Sequence, residues 1–179
     1  MSLRGGSSAP LSKVAMRRLL TELESLARDP PPLISACPVS EERWHEWDCV
    51  IVGPDDTLYA GGAFRAKLLF PSQYPMQPPK MVFTSAMWHP NIYKGGDRDG
   101  EVCISALHPA TGDPMTGETV SEQWSPARTI ESILLSVQSI LAEPNLSSPA
   151  NVDAAAQMRR EPDGFRAKVR ETVRRSLAA

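Results

Sequence analysis

The stretch AFRAKLLFPSQYPMQPPK, residues 63–80, joins an alternating segment to a run of prolines. In its first half, apolar residues alternate with Arg65 and Lys67, the pattern of a strand with one buried face. The second half holds four prolines between residues 71 and 79. Neither a helix nor a central strand tolerates these, because proline lacks the backbone N–H donor. We therefore predict a strand over residues 63–70 that leads into a rigid surface loop.

Similar strand patterns lie on both sides of this segment. The predicted strands cover residues 33–39, 43–52, 63–70 and 80–84. Turn-forming residues separate them, with Gly-Pro-Asp-Asp at residues 53–56 and a Gly-Gly pair at residues 61–62. Short strands that follow one another with such turns predict a four-stranded antiparallel meander.

Helical periodicity flanks the predicted sheet. A first amphipathic helix is predicted over residues 12–28, with Ser12 as its N-cap and the prolines at 30–32 as its end. Its apolar stripe consists of Met16, Leu19, Leu20, Leu23 and Leu26. The clearest helix covers residues 129–143, and two more are predicted over 152–160 and 162–177, the last with Phe165, Val169, Val173 and Leu177 on its apolar face. Strands and helices occur in separate runs, which predicts an α+β fold with an antiparallel sheet.

The length of 179 residues fits one domain. We predict a flexible leader at residues 1–11 and a folded domain at residues 12–179. Residues 86–128 show little periodicity, and irregular segments of this length inside a compact domain are usually functional or disordered. This segment holds the most reactive side chains of the chain, so we expect it to carry the function.

Composition excludes several classes of protein. The net charge of −2 argues against a dedicated nucleic-acid binder. No apolar run approaches the roughly 20 residues that span a bilayer, and the first residues lack the apolar stretch of a signal peptide. The cysteines are Cys37, Cys49 and Cys103, and no CxxC motif is present, which indicates a reducing compartment without a structural zinc site. Cys37 and Cys49 are expected to be packing residues.

The segment WHPNIYKGGDRDGEVCISAL, residues 88–107, contains the chemistry. A nucleophilic cysteine needs access to solvent and a stabilised thiolate, and a thioester also needs a donor for the oxyanion that forms on attack. Cys103 and the amide of Asn91 are the residue types that meet these needs. Each also has a structural interpretation, since an isolated cysteine packs as a small apolar residue and His89 suits a satisfied buried histidine. The residues alone indicate a candidate nucleophile at Cys103; Asp97 and Asp99 predict only a polar turn, because calcium-loop spacing is missing.

Several motifs of this chain occur together in one known family. They are ARDPPP at 27–32, GPDDTLYAGGAF at 53–64, FPSQYPMQPPKMVF at 70–83, HPNI at 89–92, VCIS at 102–105, WSPARTI at 124–130 and LLSVQSILAEPN at 134–145. In this order the motifs resemble those of ubiquitin-conjugating enzymes, and the resemblance extends over residues 12–177.

The resemblance implies a role for individual residues. Cys103 matches the cysteine that accepts ubiquitin as a thioester, Asn91 the asparagine that stabilises the oxyanion or orders the active-site loop, and His89 a structural histidine. The positions that match partner-binding residues are Arg17, Arg18, Met76, Ser125, Pro126 and Ala127. The implied partners are ubiquitin, the ubiquitin-activating enzyme, a RING-type ubiquitin ligase and substrate lysines. No cofactor and no metal are implied.

Two segments depart from minimal members of the family. The insertion at residues 107–123 carries Asp113, Glu118 and Glu122 and resembles the acidic-loop subgroup, which builds the ubiquitin chains that signal proteasomal degradation. Within this subgroup, the chain resembles most the members that serve degradation of endoplasmic-reticulum proteins. This implies a cytoplasmic enzyme at the cytosolic face of the endoplasmic reticulum, recruited to that membrane by a partner. Ser148 stands where many members carry an aspartate that helps orient or deprotonate the incoming lysine. The carboxylates of the insertion are candidates to take over the role of that aspartate. The second departure, KGGDRDGE at 94–101, has no assigned role.

Two other functions remain as alternatives from the sequence. One is a non-catalytic ubiquitin-binding relative, which the presence of both Cys103 and Asn91 argues against. The other is a cysteine hydrolase that pairs Cys103 with His89 or His108, although no third orienting residue stands out. The modifier could also be a ubiquitin-like protein, but the acidic-loop resemblance favours ubiquitin.

Overall fold

The computed structural model describes residues 10–110 and 119–178. Within these residues the elements are α1 (Lys13–Arg28), β1 (Ile34–Pro38), β2 (Glu46–Val52), β3 (Ala63–Leu69), β4 (Lys80–Phe83), α2 (Ile130–Ala142), α3 (Val152–Arg160) and α4 (Pro162–Leu177). Two short 3-10 helices, Gly96–Arg98 and Ser105–Leu107, lie between β4 and α2. The predicted α+β class and the order of elements are confirmed. Residues 1–9 of the predicted leader and 111–118 of the predicted insertion lie outside the described residues.

The sheet has the order β1-β2-β3-β4, and each strand is antiparallel to the next. The predicted meander is therefore confirmed, but two strand starts were wrong. β2 begins at Glu46 rather than at residue 43, because the Arg43 N–H donates to the Ser40 carbonyl and the Glu46 N–H to the Arg43 carbonyl in successive turns. β1 begins after Leu33, whose φ of 66° is not extended backbone.

The predicted alternation in β3 is confirmed. Phe64, Ala66 and Leu68 are buried in the core, while Arg65 between them is exposed. Phe70, one residue beyond the strand, is also buried and packs edge-to-face on Trp47 and Tyr74. The apolar stripe of α2 belongs to the same core and consists of Ile130, Ile133, Leu134, Val137 and Leu141.

The apolar faces of α1 and α4 differ from the prediction at their edges. In α1, Leu20 is 43% exposed, and the buried positions are Ala15, Leu19, Glu22 and Leu26. In α4, Leu177 is 63% exposed, because a repeat of four residues rotates by about 40° per step around a helix with 3.6 residues per turn. The cysteine prediction was half right: Cys49 is buried, but Cys37 is exposed on β1, so it is not a packing residue.

A buried carboxylate joins α1 to α2. Glu22 is only 5% exposed, and its Oε1 accepts from Arg18 Nε at 2.7 Å. Its Oε2 accepts from the backbone N–H of Ile130 at 3.0 Å. Ile130 is the first residue of α2, so the carboxylate satisfies a free N–H and places negative charge at the positive end of the helix dipole. The Tyr74 hydroxyl, 3.4 Å from Oε1, adds a contact from the proline-rich loop.

The HPN turn at residues 89–91 fixes the end of α2. His89 is fully buried, and its Nε2 lies 2.7 Å from the carbonyl oxygen of Ile140. Its Nδ1 accepts from the Asn91 backbone N–H at 2.9 Å. A carbonyl can only accept, so Nε2 carries the proton and the ring is neutral. Burial lowers the pKa of His89 from 6.5 to about 4, which keeps the ring uncharged at neutral pH.

The KGGDRDGE segment forms a closed hairpin between Tyr93 and Glu101. The Tyr93 N–H donates to the Glu101 carbonyl and the Gly100 N–H to the Tyr93 carbonyl, both at 2.9 Å. Gly100 has a φ of 82°, and a Cβ there would lie 2.2 Å from the Phe83 carbonyl oxygen at the end of β4. Only glycine fits this approach. The base of the hairpin is therefore fixed to the sheet.

Two absences apply to residues 10–110 and 119–178. No group of three or more His, Cys, Asp or Glu side chains is arranged to hold a metal ion among them. No helix in this part of the chain has the length and hydropathy to cross a bilayer.

We predict that Glu22→Ala lowers the free energy of unfolding by about 2–3 kcal/mol, because it leaves Arg18 Nε and the first N–H of α2 without their acceptor. Urea unfolding measures the change. Glu24→Ala is the matched control, since Glu24 is exposed on the same helix and its loss should cost less than about 0.5 kcal/mol. Equal effects of the two substitutions would contradict the role of Glu22.

The second prediction concerns acid stability. Because the folded state depresses the pKa of His89, its contribution to stability is complete above about pH 6.5 and is lost as the pH falls towards about 4. Urea unfolding across this range should show the free energy of unfolding falling by up to about 1.4 kcal/mol per pH unit. His89→Gln should remove most of this slope, whereas a His45→Gln control should keep it. A flat pH profile for the unmodified chain would refute the assignment.

Candidate active site

Cys103 lies at the edge of the sheet where two irregular segments meet. It follows Val102, which forms an isolated β-bridge with Ile92, and it precedes the 3-10 helix Ser105–Leu107. Its backbone N–H donates to the Asn91 carbonyl at 2.9 Å. The residue is partly exposed, unlike the buried Cys49, whose pKa burial raises to about 12. Cys103 therefore combines a fixed backbone with an accessible thiol.

Asn91 links the cysteine to the segment after α2. Its side chain is 2% exposed, Nδ2 donates to the Asn145 carbonyl at 2.7 Å, and Oδ1 accepts from the Asn145 N–H at 2.9 Å. This paired bonding orders the active-site loop. An amide nitrogen carries two N–H groups, so one donor of Nδ2 remains beyond the bond to Asn145. The geometry is compatible with both roles that the family resemblance implies.

Two side chains approach the Cys103 sulfur. His108 Nε2 lies 3.4 Å from Sγ and the Tyr93 hydroxyl lies 3.9 Å from it. The Arg98 guanidinium stacks 3.7 Å above the Tyr93 ring, and Arg98 also pairs with Glu101. Burial and the neighbouring Cys103 raise the pKa of Tyr93. The sequence prediction missed Tyr93 and Arg98; the position of Tyr93 between Asn91 and Cys103 was the available signal.

The contacts of His89 and His108 decide which of the two histidines could pair with Cys103 in a hydrolase. His89 bonds to Ile140 in the core and so holds the fold, whereas His108 is the histidine beside Cys103. His108 also anchors the insertion, because its carbonyl accepts from the Trp124 N–H at 2.9 Å. The Cys103–His108 contact alone would fit either a hydrolase or a transferase that works through a thioester.

An open cavity of about 330 Å³ adjoins the cysteine. Predicted site residues Asn91, Cys103 and Ser148 all line it, so the fold brings them together from segments far apart in sequence. Glu122 and Arg128 line the same cavity. The Glu122 carboxylate accepts from Thr119 N and Oγ1, and these bonds lower its pKa. Asp113 and Glu118 were also predicted at this site, but they lie outside the described residues.

The predicted partner-binding residues lie on α1, in the proline-rich loop and in the turn that precedes α2. Met76 is 70% exposed, and Arg17 and the turn Ser125-Pro126-Ala127 are exposed as well. Trp124 Nε1 donates to the Pro75 carbonyl at 2.9 Å, which joins the proline-rich loop to this turn. Arg18 is half-buried and donates to the carbonyls of Pro126 and Arg128, both at 2.8 Å. Arg18 therefore holds the turn at residues 125–127 in place from α1.

Comparison with known proteins identifies the family. Residues 18–173 match the family model described as ubiquitin-conjugating enzyme. The human ubiquitin-conjugating enzyme E2 G2 is 47% identical over 167 residues, which cover 93% of this chain and 99% of that protein. Ubiquitin-conjugating enzyme E2 15 of Schizosaccharomyces pombe is 45% identical over 166 residues, 93% of this chain and 97% of that protein. Ubiquitin-conjugating enzyme E2 7 of Arabidopsis thaliana is 49% identical over 158 residues, 88% and 93% of the two chains.

These matches confirm the resemblance read from the motifs, and they decide between the enzyme classes left open by the Cys103–His108 contact. Members of this family are ubiquitin transferases that act through a cysteine thioester, with an activating enzyme and ligases as partners. The chain belongs to the ubiquitin-conjugating enzyme family.

Proposed function

We propose that Cys103 is the residue that carries ubiquitin. The observation that supports this most directly is its geometry: a partly exposed thiol at the mouth of a cavity, with its backbone bonded to the HPN turn. In the first step, the Cys103 thiolate attacks the thioester carbonyl of ubiquitin on the activating enzyme. A new C–S bond forms, the old one breaks, and the thiolate of the activating enzyme leaves. ATP is consumed upstream and no cofactor takes part.

In the second step, the neutral amine of an acceptor lysine attacks the Cys103 thioester. The amine loses a proton, an isopeptide bond forms, and Cys103 leaves as a thiolate. We infer that Asn91 serves this step twice: its bonds to Asn145 hold the loop after α2, and its remaining Nδ2 donor suits the oxyanion. Because the acceptor must reach the thioester in a defined orientation, a ligase that positions the reactants supplies much of the rate.

The surface of Arg17, Met76 and the Ser125-Pro126-Ala127 turn is the proposed docking site for the activating enzyme and a RING-type ligase. Its exposure and the hydrogen bonds that fix its two loops support this role. A surface held rigid before binding loses less entropy on association. Arg18 then contributes by supporting the turn, in addition to the direct contact expected from sequence.

We further propose that the enzyme builds ubiquitin chains of the type that signals proteasomal degradation. The support is the insertion at residues 107–123, which resembles that of the acidic-loop subgroup. In this proposal Asp113 and Glu118 act in place of the aspartate that Ser148 replaces. The same resemblance supports a cytoplasmic enzyme at the cytosolic face of the endoplasmic reticulum, recruited there by a partner protein.

The central proposal predicts the chemistry of the adduct. With activating enzyme, ATP and ubiquitin, the unmodified chain should form an adduct that thiol reductant cleaves, and Cys103→Ser should form a reductant-resistant ester. Non-reducing and reducing gels distinguish the two. Cys37→Ser is the control, since Cys37 is exposed on β1 and its loss should leave the adduct unchanged. A cleavable adduct that persists in Cys103→Ser would place the thioester elsewhere.

A further prediction separates the two steps. Asn91→Ala should leave charging of Cys103 largely intact but slow transfer to lysine by about a hundredfold, the usual cost of an oxyanion donor. Single-turnover discharge of the purified thioester measures transfer alone. Asn145→Ala is the matched control, because Asn91 bonds to the backbone of Asn145 and not to its side chain. If charging and transfer fall by the same factor in Asn91→Ala, Asn91 serves the fold only.

A further inference from the structure

Arg128 gathers the carbonyl groups at the end of the insertion. Its Nε donates to the Gln123 carbonyl, and its Nη2 donates to the carbonyls of Ser121 and Glu122, each at 2.9 Å. The side chain is half-buried. A planar guanidinium presents N–H donors from separate nitrogens and so suits a set of spaced acceptors. A lysine ammonium, with all its donors on one nitrogen, does not reproduce this arrangement.

The backbone around these carbonyls depends on side chains for its shape. Residues 119–128 belong to no helix or strand, so their carbonyls lack the partners that regular structure supplies. Arg18 binds the carbonyls of Pro126 and Arg128 from α1, and Arg128 binds those of residues 121–123. Two arginines therefore hold the segment between the insertion and α2.

The segment held by Arg128 forms one wall of the active-site cavity. Glu122 lines this cavity together with Cys103, and its carboxylate is bonded to Thr119. Those hydrogen bonds lower the pKa of Glu122, so the group is ionised at neutral pH. An ionised carboxylate near the thioester is suited to bind the ammonium form of a lysine side chain before the proton is lost.

We propose that Arg128 is a positioning residue that fixes residues 121–123 so that the Glu122 carboxylate faces the Cys103 cavity and binds the alkylammonium of the acceptor lysine. This inference rests on the proposed function of Cys103. It deepens that function by assigning acceptor binding to a described carboxylate and to the arginine that places it.

Arg128 also lines the cavity, so its positive charge could act on the acceptor lysine directly. Whether Arg128→Gln raises or lowers the half-saturating lysine concentration distinguishes positioning from a direct effect of charge. If the guanidinium acted only through its charge, it would repel an ammonium, and Arg128→Gln would lower the lysine concentration that half-saturates discharge. If it acts by positioning Glu122, Arg128→Gln should raise that concentration. Arg128→Lys keeps the charge but carries all its donors on one nitrogen, so it does not reproduce the separate Nε and Nη2 positions. Positioning therefore predicts a rise here too, whereas charge alone predicts no change.

The test uses the full chain charged with ubiquitin, purified from the activating enzyme and discharged onto two nucleophiles. Free lysine carries an ammonium group at neutral pH, whereas hydroxylamine is neutral and reports the reactivity of the thioester itself. The variants are Arg128→Gln, Arg128→Lys, Glu122→Gln and the double variant Arg128→Gln/Glu122→Gln. Arg166→Gln is the control, since that arginine pairs with Asp163 on the surface of α4.

We expect both Arg128 variants and Glu122→Gln to raise the half-saturating lysine concentration about fivefold, the scale of a partly exposed ion pair. The limiting discharge rate and the hydroxylamine rate should stay within about twofold of the unmodified chain. The double variant should match the single variants, because two residues that act as one unit are not additive.

Three outcomes would overturn the proposal. They are an equal loss with lysine and hydroxylamine, a lower half-saturating concentration in Arg128→Gln, and additive effects in the double variant. Should Arg128→Gln fail to fold by urea unfolding, Arg128→Lys and Glu122→Gln decide the question by the same criteria. Failure to form any thioester at Cys103 would instead refute the proposed function, which the charging step reports separately.

Discussion

The neutral imidazole of His89 is the constraint on which the active site depends. Its protonated Nε2 binds the end of α2 through Ile140, and its Nδ1 accepts from Asn91, so one ring connects the core helix to the HPN turn. The backbone carbonyl of Asn91 accepts from the Cys103 N–H, and its side-chain amide bonds to the backbone of Asn145. Asn91 therefore connects the HPN turn to both segments. The cysteine is thus located by buried hydrogen bonds, each of which is costly to leave unmade.

The surface proposed to bind partners depends on arginines in the same way. Arg18 and Arg128 supply donors to backbone carbonyls between residues 121 and 128, where regular structure supplies none. Arg18 also pairs with Glu22, and Glu22 accepts from the first N–H of α2. Hydrogen bonds therefore connect α1, α2 and the Ser125-Pro126-Ala127 turn. The proposed docking surface and the cavity beside Cys103 therefore share a single backbone segment.

Sequence reasoning predicted the sheet and the four α-helices of the described residues because each follows from a periodic pattern, and it singled out Cys103 as a candidate from a specific motif. It failed where one residue's environment depends on packing. Glu22 is not part of the predicted apolar stripe of α1, yet it is buried, and Ile130 supplies its donor from a distant segment. Cys37 looks like a core thiol, yet its strand places it on the outer face. The contact of His108 with Cys103, like the hold of Arg128 on residues 121–123, arises only from the fold.

The hairpin at residues 93–101 has a base held against the sheet and a tip that is exposed to solvent. Gly100 is confined against Phe83, whereas a side-chain atom built on Gly95 or Gly96 would meet open space, and at these two positions it is the positive φ that favours glycine. The bridge of Ile92 with Val102, which precedes the cysteine, lies outside the tip. Asp97, which is exposed at this tip, is therefore a position for a fluorescent label near the proposed thioester at Cys103, where departure of ubiquitin would be observed with the stacking of Arg98 on Tyr93 left in place.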